Sequence, residues 1–216
     1  MDILIISATE FELKEFKLHG IDKINSNIKI ETLITGIGIP STIFHLTKAL
    51  SKKKYDYIIQ TGIAGSFTKK LSMGEVVIVQ QDTFAELGVF EKKEFKTIFE
   101  SGLMDQNLFP FENSWLKNKS VILDSLKLKK VNGVTINTLS DSKKQFNRLK
   151  NKFEAMIESM EGAALHFVCI QFDQPFIQLR SISNKVGVRD KKKWDINLAI
   201  TNLNRELLLL LNTISK

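Results

Sequence analysis

The sequence predicts an α/β protein whose largely parallel sheet is covered by helices on both faces. Short apolar runs rich in β-branched residues, such as 2–7 (DILIIS) and 75–81 (EVVIVQQ), are typical of buried strands. Helical patterns follow several of these runs, and such alternation favours parallel pairing. The length of 216 residues suits one large domain, taken here as residues 1–216.

Short sequence patterns predict where the individual strands and helices lie. The predicted strands span residues 2–7, 29–35, 57–61, 75–81, 133–137, 155–159 and 176–181, and the predicted helices after the first span residues 40–50, 142–151, 162–172 and 194–214. Thr9 and Glu12 have capping-box spacing, which predicts that the first helix begins here. Pro40 suits the first turn of the second helix.

The middle of the chain, about residues 84–130, shows no clear period. It carries several phenylalanines and Trp115 among lysines and acids. We interpret this segment as an irregular insertion or lid that packs through its aromatic side chains, not as a separate domain.

Charge and composition exclude several classes of protein. The formal net charge is +7, but nearly all the positive charge is lysine in short runs that are typical of solvated faces. We therefore expect no nucleic-acid partner. The longest apolar runs, such as 207–211, are too short to cross a bilayer, so no membrane association is expected.

The cysteine and histidine content bears on disulfides, compartment and metal binding. The single cysteine, Cys169, excludes a disulfide framework and favours a reducing cytoplasm, and the start of the chain does not resemble a signal peptide. Three scattered histidines lack metal-ligand spacing, so we expect no metal and no cofactor.

Polar side chains follow two neighbouring predicted strands. Glu161 closes the strand before the helix at 162–172, and Asn184 closes the next strand. Open α/β sheets bind ligands beyond the carboxyl ends of their strands, so both side chains should face one pocket. A carboxylate holds sugar hydroxyls and an amide reads a heterocycle edge. The pattern therefore indicates a nucleoside site.

Other candidates are ambiguous on spacing alone. The residues 36–38 (GIG) lack the third glycine of a dinucleotide fingerprint, so a tight turn is the better interpretation. The small residues 62–66, including Gly65 and Ser66, predict a segment whose backbone amides face a ligand, or a plain loop. Glu12 occupies a strand end where catalytic groups occur, but a first-turn acid also favours the helix dipole.

Together these motifs resemble the nucleoside phosphorylase and nucleosidase superfamily over nearly the whole chain. The motifs that carry the resemblance are ATEFE (8–12), GIG (36–38), TGIAG (61–65), SMEG (159–162) and RSISN (180–184). The resemblance implies a three-layer α/β/α sandwich around a mixed, largely parallel, partly barrel-like sheet. It also implies an enzyme that acts on a small-molecule purine nucleoside, with a homodimer as the expected assembly.

The resemblance further assigns roles to residues. Glu12 matches the acid that activates water in the nucleosidases, and Met160 and Glu161 match the ribose contacts. Phosphorylases of this kind hold phosphate with arginines in the N-terminal half, whereas this chain has no arginine before Arg148. Hydrolysis is therefore expected. Asn184 replaces an aspartate of adenine-specific members, which favours a hypoxanthine leaving group.

Within the superfamily, several segments resemble the futalosine hydrolases of menaquinone biosynthesis. These are ESMEGAALHFVC (158–169), PFIQLRSISN (175–184), FAELG (84–88) and WDINLAI (194–200). The resemblance implies release of hypoxanthine from futalosine, whose benzoate would need a cation such as Arg189 or Lys185. Two alternatives stay open: a nucleosidase for methylthioadenosine, S-adenosylhomocysteine or another purine nucleoside, and a catalytically silent nucleoside-binding protein.

Overall fold

The computed structural model describes residues 1–20, 22, 24, 27–188 and 190–214, without the side chain of residue 19. The strands are β1 (Asp2–Ser7), β2 (Lys29–Ile34), β3 (Tyr57–Ser66), β4 (Val76–Asp82), β5 (Gly88–Glu91), β6 (Glu94–Thr97), β7 (Leu116–Lys117), β8 (Lys129–Thr135), β9 (Ile157–Ser159) and β10 (Phe176–Lys185). The helices are α1 (Glu10–His19), α2 (Ile39–Leu50), α3 (Ile122–Ser125), α4 (Lys143–Phe153), α5 (Gly162–Gln171) and α6 (Ile196–Ile214).

The central sheet is mixed and partly closed. Its strand order is β10-β4-β8-β9-β3-β1-β2, and β10 also pairs with β3, so the strands from β10 to β3 form a ring. Most pairs are parallel, whereas β10–β4, β3–β9 and β4–β7 are antiparallel. This confirms the predicted largely parallel, partly barrel-like sheet.

Helices cover the sheet on two sides, which completes the predicted three-layer arrangement. Alternate residues of β1 point to opposite faces. Ile3 and Ile5 pack in one cluster with side chains of α1 and α6, and Leu4 and Ile6 pack in another with side chains of α2 and α5. The apolar run at 2–7 is therefore a strand buried on both faces, as its composition predicts.

Two strands are longer than the sequence predicts. The residues 62–66 continue β3 and do not form a loop, because β10 and β9 pair with them from both sides. Asn184 likewise lies within β10, one residue before its end. The sequence alone does not predict this pairing, because the small residues 62–66 show no side-chain pattern and their partner strands are distant in the chain.

The segment 84–130 is more regular than its sequence indicates. It contains the hairpin β5–β6 and the strand β7, which adds to the central sheet. The hairpin turn is formed by Lys92 and Lys93, both with positive φ, which lysine rarely adopts. Phe99 and Phe111 from this segment pack in a cluster with Ala163 of α5. The predicted packing through aromatic side chains is present there.

No helix in the described part of the chain combines the length and the apolar character that crossing a bilayer requires.

Candidate active site

A cavity of about 290 Å³ lies at the carboxyl ends of the parallel strands β1, β3 and β10. Thr9 after β1, Ile63 of β3 and Ser183 of β10 all line it. This is the edge at which open α/β sheets bind ligands. We call the side lined by Glu12 and Glu161 the arginine end, because the buried Arg180, which does not itself line the cavity, contacts Glu161 there. The side that contains Gly65, Glu158 and Asn184 is the amide end.

Glu12 is a buried carboxylate in the first turn of α1, and it lines the cavity. Its Oε2 accepts hydrogen bonds from the Ser7 hydroxyl at 2.9 Å, the Thr9 amide at 3.0 Å and the Thr9 hydroxyl at 3.1 Å. Its Oε1 accepts from the Ile63 amide at 3.3 Å. The predicted capping box is confirmed, and the same contacts fix the carboxylate in one orientation.

Glu161 is the N-cap residue of α5 and faces the same cavity. Its Oε1 accepts from the Gly38 amide at 3.1 Å, and its Oε2 lies 3.4 Å from Nη1 of Arg180. Burial raises the pKa of the Glu161 carboxyl, while Arg180 and the Gly38 amide oppose that shift and Glu12 adds to it. Glu161 and Glu12 therefore share one electrostatic environment.

Arg180 completes this end, although it was predicted only as part of a motif and not as a site residue. It is 1% exposed, and its Nη2 donates to Oε1 of Gln60 at 3.0 Å. A Cβ built on Gly62 would lie 2.2 Å from Nη1, so the guanidinium occupies the space that this glycine leaves. The signal available in the sequence was a lone arginine within an apolar strand, since a buried charge needs a partner.

Asn184 and Gly65 lie side by side at the amide end, paired in register between β10 and β3. The Asn184 Oδ1 accepts from the Ser183 hydroxyl at 2.9 Å, and its Nδ2 donates to the Lys185 carbonyl at 3.1 Å. A Cβ on Gly65 would lie 3.2 Å from that Nδ2. Asn184 and Gly65 are therefore neighbours on adjacent strands, and both line the cavity.

A further carboxylate, Glu158, lines the amide end and was not among the predicted site residues. It is 5% exposed, and its Oε2 accepts from the Ser140 hydroxyl at 2.5 Å. Its Oε1 accepts from the Ser140 amide at 3.4 Å. An acid inside a buried strand was a signal that the sequence offered, because unpaired burial of a carboxylate is costly.

Of the remaining predicted residues that the structure describes, one lines the cavity and two do not. Met160 lines the cavity. Ser66 does not line it: its hydroxyl donates to the Thr68 carbonyl at 2.8 Å, so its side chain is engaged elsewhere. Lys185 is exposed and does not line the cavity either. Arg189 lies outside the described residues.

The outer wall of the cavity is apolar. Phe11, Ile37, Val188 and Ile196 line it, and no lysine or arginine is found among the described lining residues. In the described part of the chain, no three histidine, cysteine, aspartate or glutamate side chains are grouped so that they could hold a metal ion. The described donors and acceptors are therefore carboxylates, amides and hydroxyls.

A chain of buried hydrogen bonds supports the start of α5 from behind the cavity. The Thr135 hydroxyl donates to Oδ1 of Asp82 at 2.9 Å and accepts from the Ala163 amide at 2.7 Å. Ala163 is the second residue of α5, two positions after Glu161. Asp82 and Thr135 thus fix the helix terminus that presents the Glu161 carboxylate.

Two buried groups in this region have shifted pKa values. Burial raises the pKa of Asp82 to about 6, against the opposing hydrogen bonds from Thr135 and Gln178. Burial lowers the pKa of His166 to about 4. The Nδ1 of His166 donates to the Leu116 carbonyl at 2.8 Å, which holds the neutral ring in place.

Comparison with known proteins decides the family. The family model described as the Phosphorylase superfamily matches residues 2–212. The chain belongs to this superfamily. Among curated members, the futalosine hydrolase of Thermus thermophilus is 29% identical over 176 residues, which cover 80% of this chain and 77% of that protein. The 5'-methylthioadenosine/S-adenosylhomocysteine nucleosidase of Maridesulfovibrio salexigens is 26% identical over 167 residues, which cover 74% of this chain and 70% of that protein.

A solved structure shares the fold of this chain. The native structure of futalosine hydrolase from Helicobacter pylori strain 26695 superposes with a TM-score of 0.81 and 18% identity, and it covers 100% of this chain and 98% of that chain. An identity this low speaks for the shared fold. The predicted superfamily fold is therefore confirmed by the element order and by this superposition.

Proposed function

We propose that the protein is a nucleosidase that hydrolyses the N-glycosidic bond of futalosine and releases hypoxanthine and dehypoxanthine futalosine, a step of menaquinone biosynthesis. Nucleoside hydrolysis is the chemistry common to the two named relatives, a futalosine hydrolase and a methylthioadenosine/S-adenosylhomocysteine nucleosidase. The observation that carries the proposal is one cavity lined by Glu12, Glu161 and Asn184. A cytoplasmic homodimer without cofactor belongs to the same proposal.

Glu161 and Met160 hold the ribose in this proposal. The Glu161 carboxylate is fixed by Arg180 and by the Gly38 amide, and it keeps lone pairs that accept from the 2′ and 3′ hydroxyls. Glycosyl cleavage passes through an oxocarbenium-like transition state, so a carboxylate beside the sugar also stabilises the developing positive charge. Met160 packs against the sugar face.

Glu12 is the general base. Its Oε1 points toward β3 and has one described partner, the Ile63 amide, so it has capacity to accept a proton from a water molecule. That water molecule attacks the anomeric carbon of the ribose as the purine departs. The contacts from Ser7 and Thr9 hold Oε2, which leaves Oε1 as the oxygen that faces the reaction.

Asn184 receives the departing base. An amide donates to O6 or N7 of a 6-oxopurine and cannot act as a general acid. Its Nδ2 carries two hydrogens, one of which is engaged with the Lys185 carbonyl. The second hydrogen is available for the purine edge. A hypoxanthine leaving group suits this residue because its lactam bears charge as it departs.

Hydrolysis is favoured over phosphorolysis by the absence of cations on the described cavity lining. A phosphate nucleophile would need such groups, which hold its charge in bidentate fashion. The chain has four arginines, and the first is Arg148.

Product analysis tests the proposal. Purified protein is incubated with futalosine with and without inorganic phosphate, and both the base and the sugar product are identified by mass spectrometry. We expect hypoxanthine and a free hemiacetal in both conditions. Formation of a sugar phosphate, or the absence of any released base, contradicts the proposal.

A second candidate is hydrolysis of 5′-methylthioadenosine, and the apolar outer wall favours it. Phe11, Ile37, Val188 and Ile196 suit an uncharged alkylthio group better than a benzoate. In the first proposal, Arg189 or Lys185 supplies the cation for that anion. If the protein releases adenine from methylthioadenosine faster than it releases hypoxanthine from futalosine, the result favours the second candidate.

A further inference from the structure

We propose that three buried side chains behind the cavity form a hydrogen-bonded chain that carries one proton and holds the Glu161 carboxylate in place. The side chains are Asp82, Gln178 and His166, and none of them lines the cavity. They act as positioning residues through the backbone of α5. The inference rests on the proposed function, because Glu161 is the group that binds the ribose there.

The chain of side chains lies directly against the residue that follows Glu161. A Cβ built on Gly162 would lie 2.2 Å from Asp82 Oδ2 and 2.2 Å from Gln178 Nε2. The two side chains therefore occupy the space that this glycine leaves, and they pack on the first residue of α5. Glu161 is the N-cap residue of that helix, so a shift of either side chain acts on the backbone that presents its carboxylate.

With Asp82 ionised, two buried acceptors in this group have no donor. Gln178 Nε2 donates to Asp82 Oδ2 at 3.3 Å. His166 Nδ1 donates to the Leu116 carbonyl at 2.8 Å, so the neutral ring carries no hydrogen on Nε2. In the described part of the chain, neither Gln178 Oε1 nor His166 Nε2 has a hydrogen-bond partner. Buried polar atoms without partners are costly and rare, so these two require an explanation.

One added proton and a turned amide give each of these atoms a partner. The two ends of a glutamine amide have nearly the same shape, so their orientation follows from the hydrogen bonds. With the amide turned, Asp82 Oδ2 carries the proton and donates to Gln178 Oε1, and Gln178 Nε2 donates toward His166 Nε2. Gln178 and His166 are neighbours, because the amide opposes the lowering of the pKa of the ring. Asp82 Oδ1 still accepts from the Thr83 amide at 2.8 Å and the Thr135 hydroxyl at 2.9 Å.

The surroundings favour a neutral Asp82. Burial raises the pKa of Asp82 to about 6, although hydrogen bonds from neighbouring side chains oppose the shift. Arg180 of β10 is a cation that acts on Asp82, on His166 and on Glu161. Two ionised carboxylates that share one cation compete for it, so a proton on Asp82 leaves the Arg180 charge to Glu161. In the proposed mechanism, Glu161 is the carboxylate that stays ionised to accept from the ribose hydroxyls.

Asp82→Asn tests where the proton lies. Asparagine has the size of aspartate, and its side-chain amide donates to Gln178 Oε1 as the protonated carboxyl does, with no proton to lose. At about pH 5 its kcat/KM for futalosine should stay within about threefold of wild type. The ratio of variant to wild type should then rise by at least about threefold toward about pH 8, because only wild type loses its proton. The catalytic groups are identical in the two proteins, so their own titration cancels in this ratio.

Two glutamine variants separate this chain of hydrogen bonds from general packing. Gln178→Leu nearly keeps the volume but cannot pass a hydrogen bond between Asp82 and His166, so kcat/KM should fall by about tenfold or more. The matched control is Gln174→Leu, since Gln174 is also buried and its amide bonds to the Tyr55 backbone instead. The control should lower stability and keep the pH dependence of kcat/KM that wild type shows.

Infrared spectroscopy gives a second readout that needs no substrate. The carbonyl stretch of a buried, protonated carboxyl should be present in wild type at about pH 5, shift on isotope labelling of aspartate, and disappear in Asp82→Asn. Absence of this band, or a folded Asp82→Asn more than about tenfold below wild type at every pH, overturns the inference while futalosine hydrolysis stands. If the variant does not fold, the labelled wild-type spectrum decides alone. A wild-type protein that releases no base overturns the proposed function, whereas the spectrum still tests the proton.

Discussion

Glu161 at the arginine end and Asn184 at the amide end are held by hydrogen bonds of different range. The Gly38 amide reaches Glu161 across 123 positions, and Arg180, which also contacts Glu161, reaches Gln60 across 120. At the amide end, Asn184 contacts its immediate neighbours Ser183 and Lys185.

This difference divides the residues proposed for the reaction from the residue proposed to select the purine. The arginine end depends on the whole fold, because its groups come from strands and helices that only the closed sheet brings together. The short-range contacts of the amide end allow a residue there to change without loss of the fold. We therefore expect the reaction to be common to superfamily members that carry acids in the places of Glu12 and Glu161, and the choice of base to depend on position 184.

The largest expected effect is at the arginine end. Glu12→Gln keeps the size of the side chain but removes the base, so kcat should fall by about 10²–10⁴-fold. The matched control is Glu10→Gln on the same helix, because Glu10 is exposed and pairs with Lys17. Steady-state kinetics with futalosine measures both. Near wild-type turnover in Glu12→Gln would remove this residue from the mechanism.

Two glycines on β3 give a direct contrast between the ends. In Gly62→Ala the new Cβ meets Arg180 Nη1 at 2.2 Å, so the buried guanidinium must shift away from its partners Glu161 and Gln60. The free energy of unfolding should drop by about 2–3 kcal/mol, with a loss of activity.

In Gly65→Ala the nearest atoms, at 3.0 and 3.2 Å, belong to Val186 and Asn184 side chains, which can shift. The loss of stability should be below about 1 kcal/mol, and the change should appear in base preference. Urea denaturation compares this variant with Gly62→Ala. Equal destabilisation would show that the two ends do not differ in rigidity.

Acid titration tests the buried groups behind the arginine end. His166 has its pKa lowered from 6.5 to about 4, so its contribution to stability is present above pH 6.5 and lost as the pH falls toward 4. Asp82 has its pKa raised from 3.8 to about 6, so its contribution is present below pH 3.8 and lost as the pH rises through 6. Between pH 4 and 6 the two effects oppose each other.

His166→Gln removes only the first effect. Relative to wild type, its free energy of unfolding should rise by about 2 kcal/mol on acidification from neutral pH toward the lower pKa. Urea denaturation of both proteins across this range measures the difference. Parallel curves for variant and wild type would show that the buried imidazole does not titrate as proposed.

The smallest expected effect is at the amide end. In the proposed mechanism the Asn184 amide donates a hydrogen bond to O6 or N7 of the purine, and Asn184→Asp replaces this donor with an acceptor. The ratio of kcat/KM for hypoxanthine nucleosides over adenine nucleosides should therefore fall by about tenfold. Competition between the two nucleosides measures the ratio. Stability should change little, since the hydrogen bonds of the Asn184 side chain go to the adjacent residues Ser183 and Lys185 and aspartate has the same size. An unchanged ratio would remove Asn184 from base recognition.

Local chemistry made part of the site predictable. The Thr9–Glu12 capping box both begins α1 and fixes the carboxylate, so one short motif predicts the helix and its cavity-lining acid. Glu161, between a strand and an apolar helix, is predictable for the same reason, because a buried carboxylate there is costly unless it has partners.

Long-range pairing was not predictable from these motifs. The contacts of Arg180 and the register of Glu158 depend on strands β9, β3 and β10 meeting, which no single stretch of sequence indicates. The hairpin β5–β6 was missed because its turn uses Lys92 and Lys93 at positive φ, where glycine or asparagine is usual. Its packing partners lie elsewhere in the chain.

The most direct measurement of the central claim is a competition between futalosine and methylthioadenosine at equal concentration, with the released bases quantified over time. In the proposed mechanism Glu12 and Glu161 serve either substrate, so the outcome depends on the amide end and the outer wall. Release of hypoxanthine faster than adenine by at least about tenfold is the predicted result. Release of adenine as the dominant base would contradict the account.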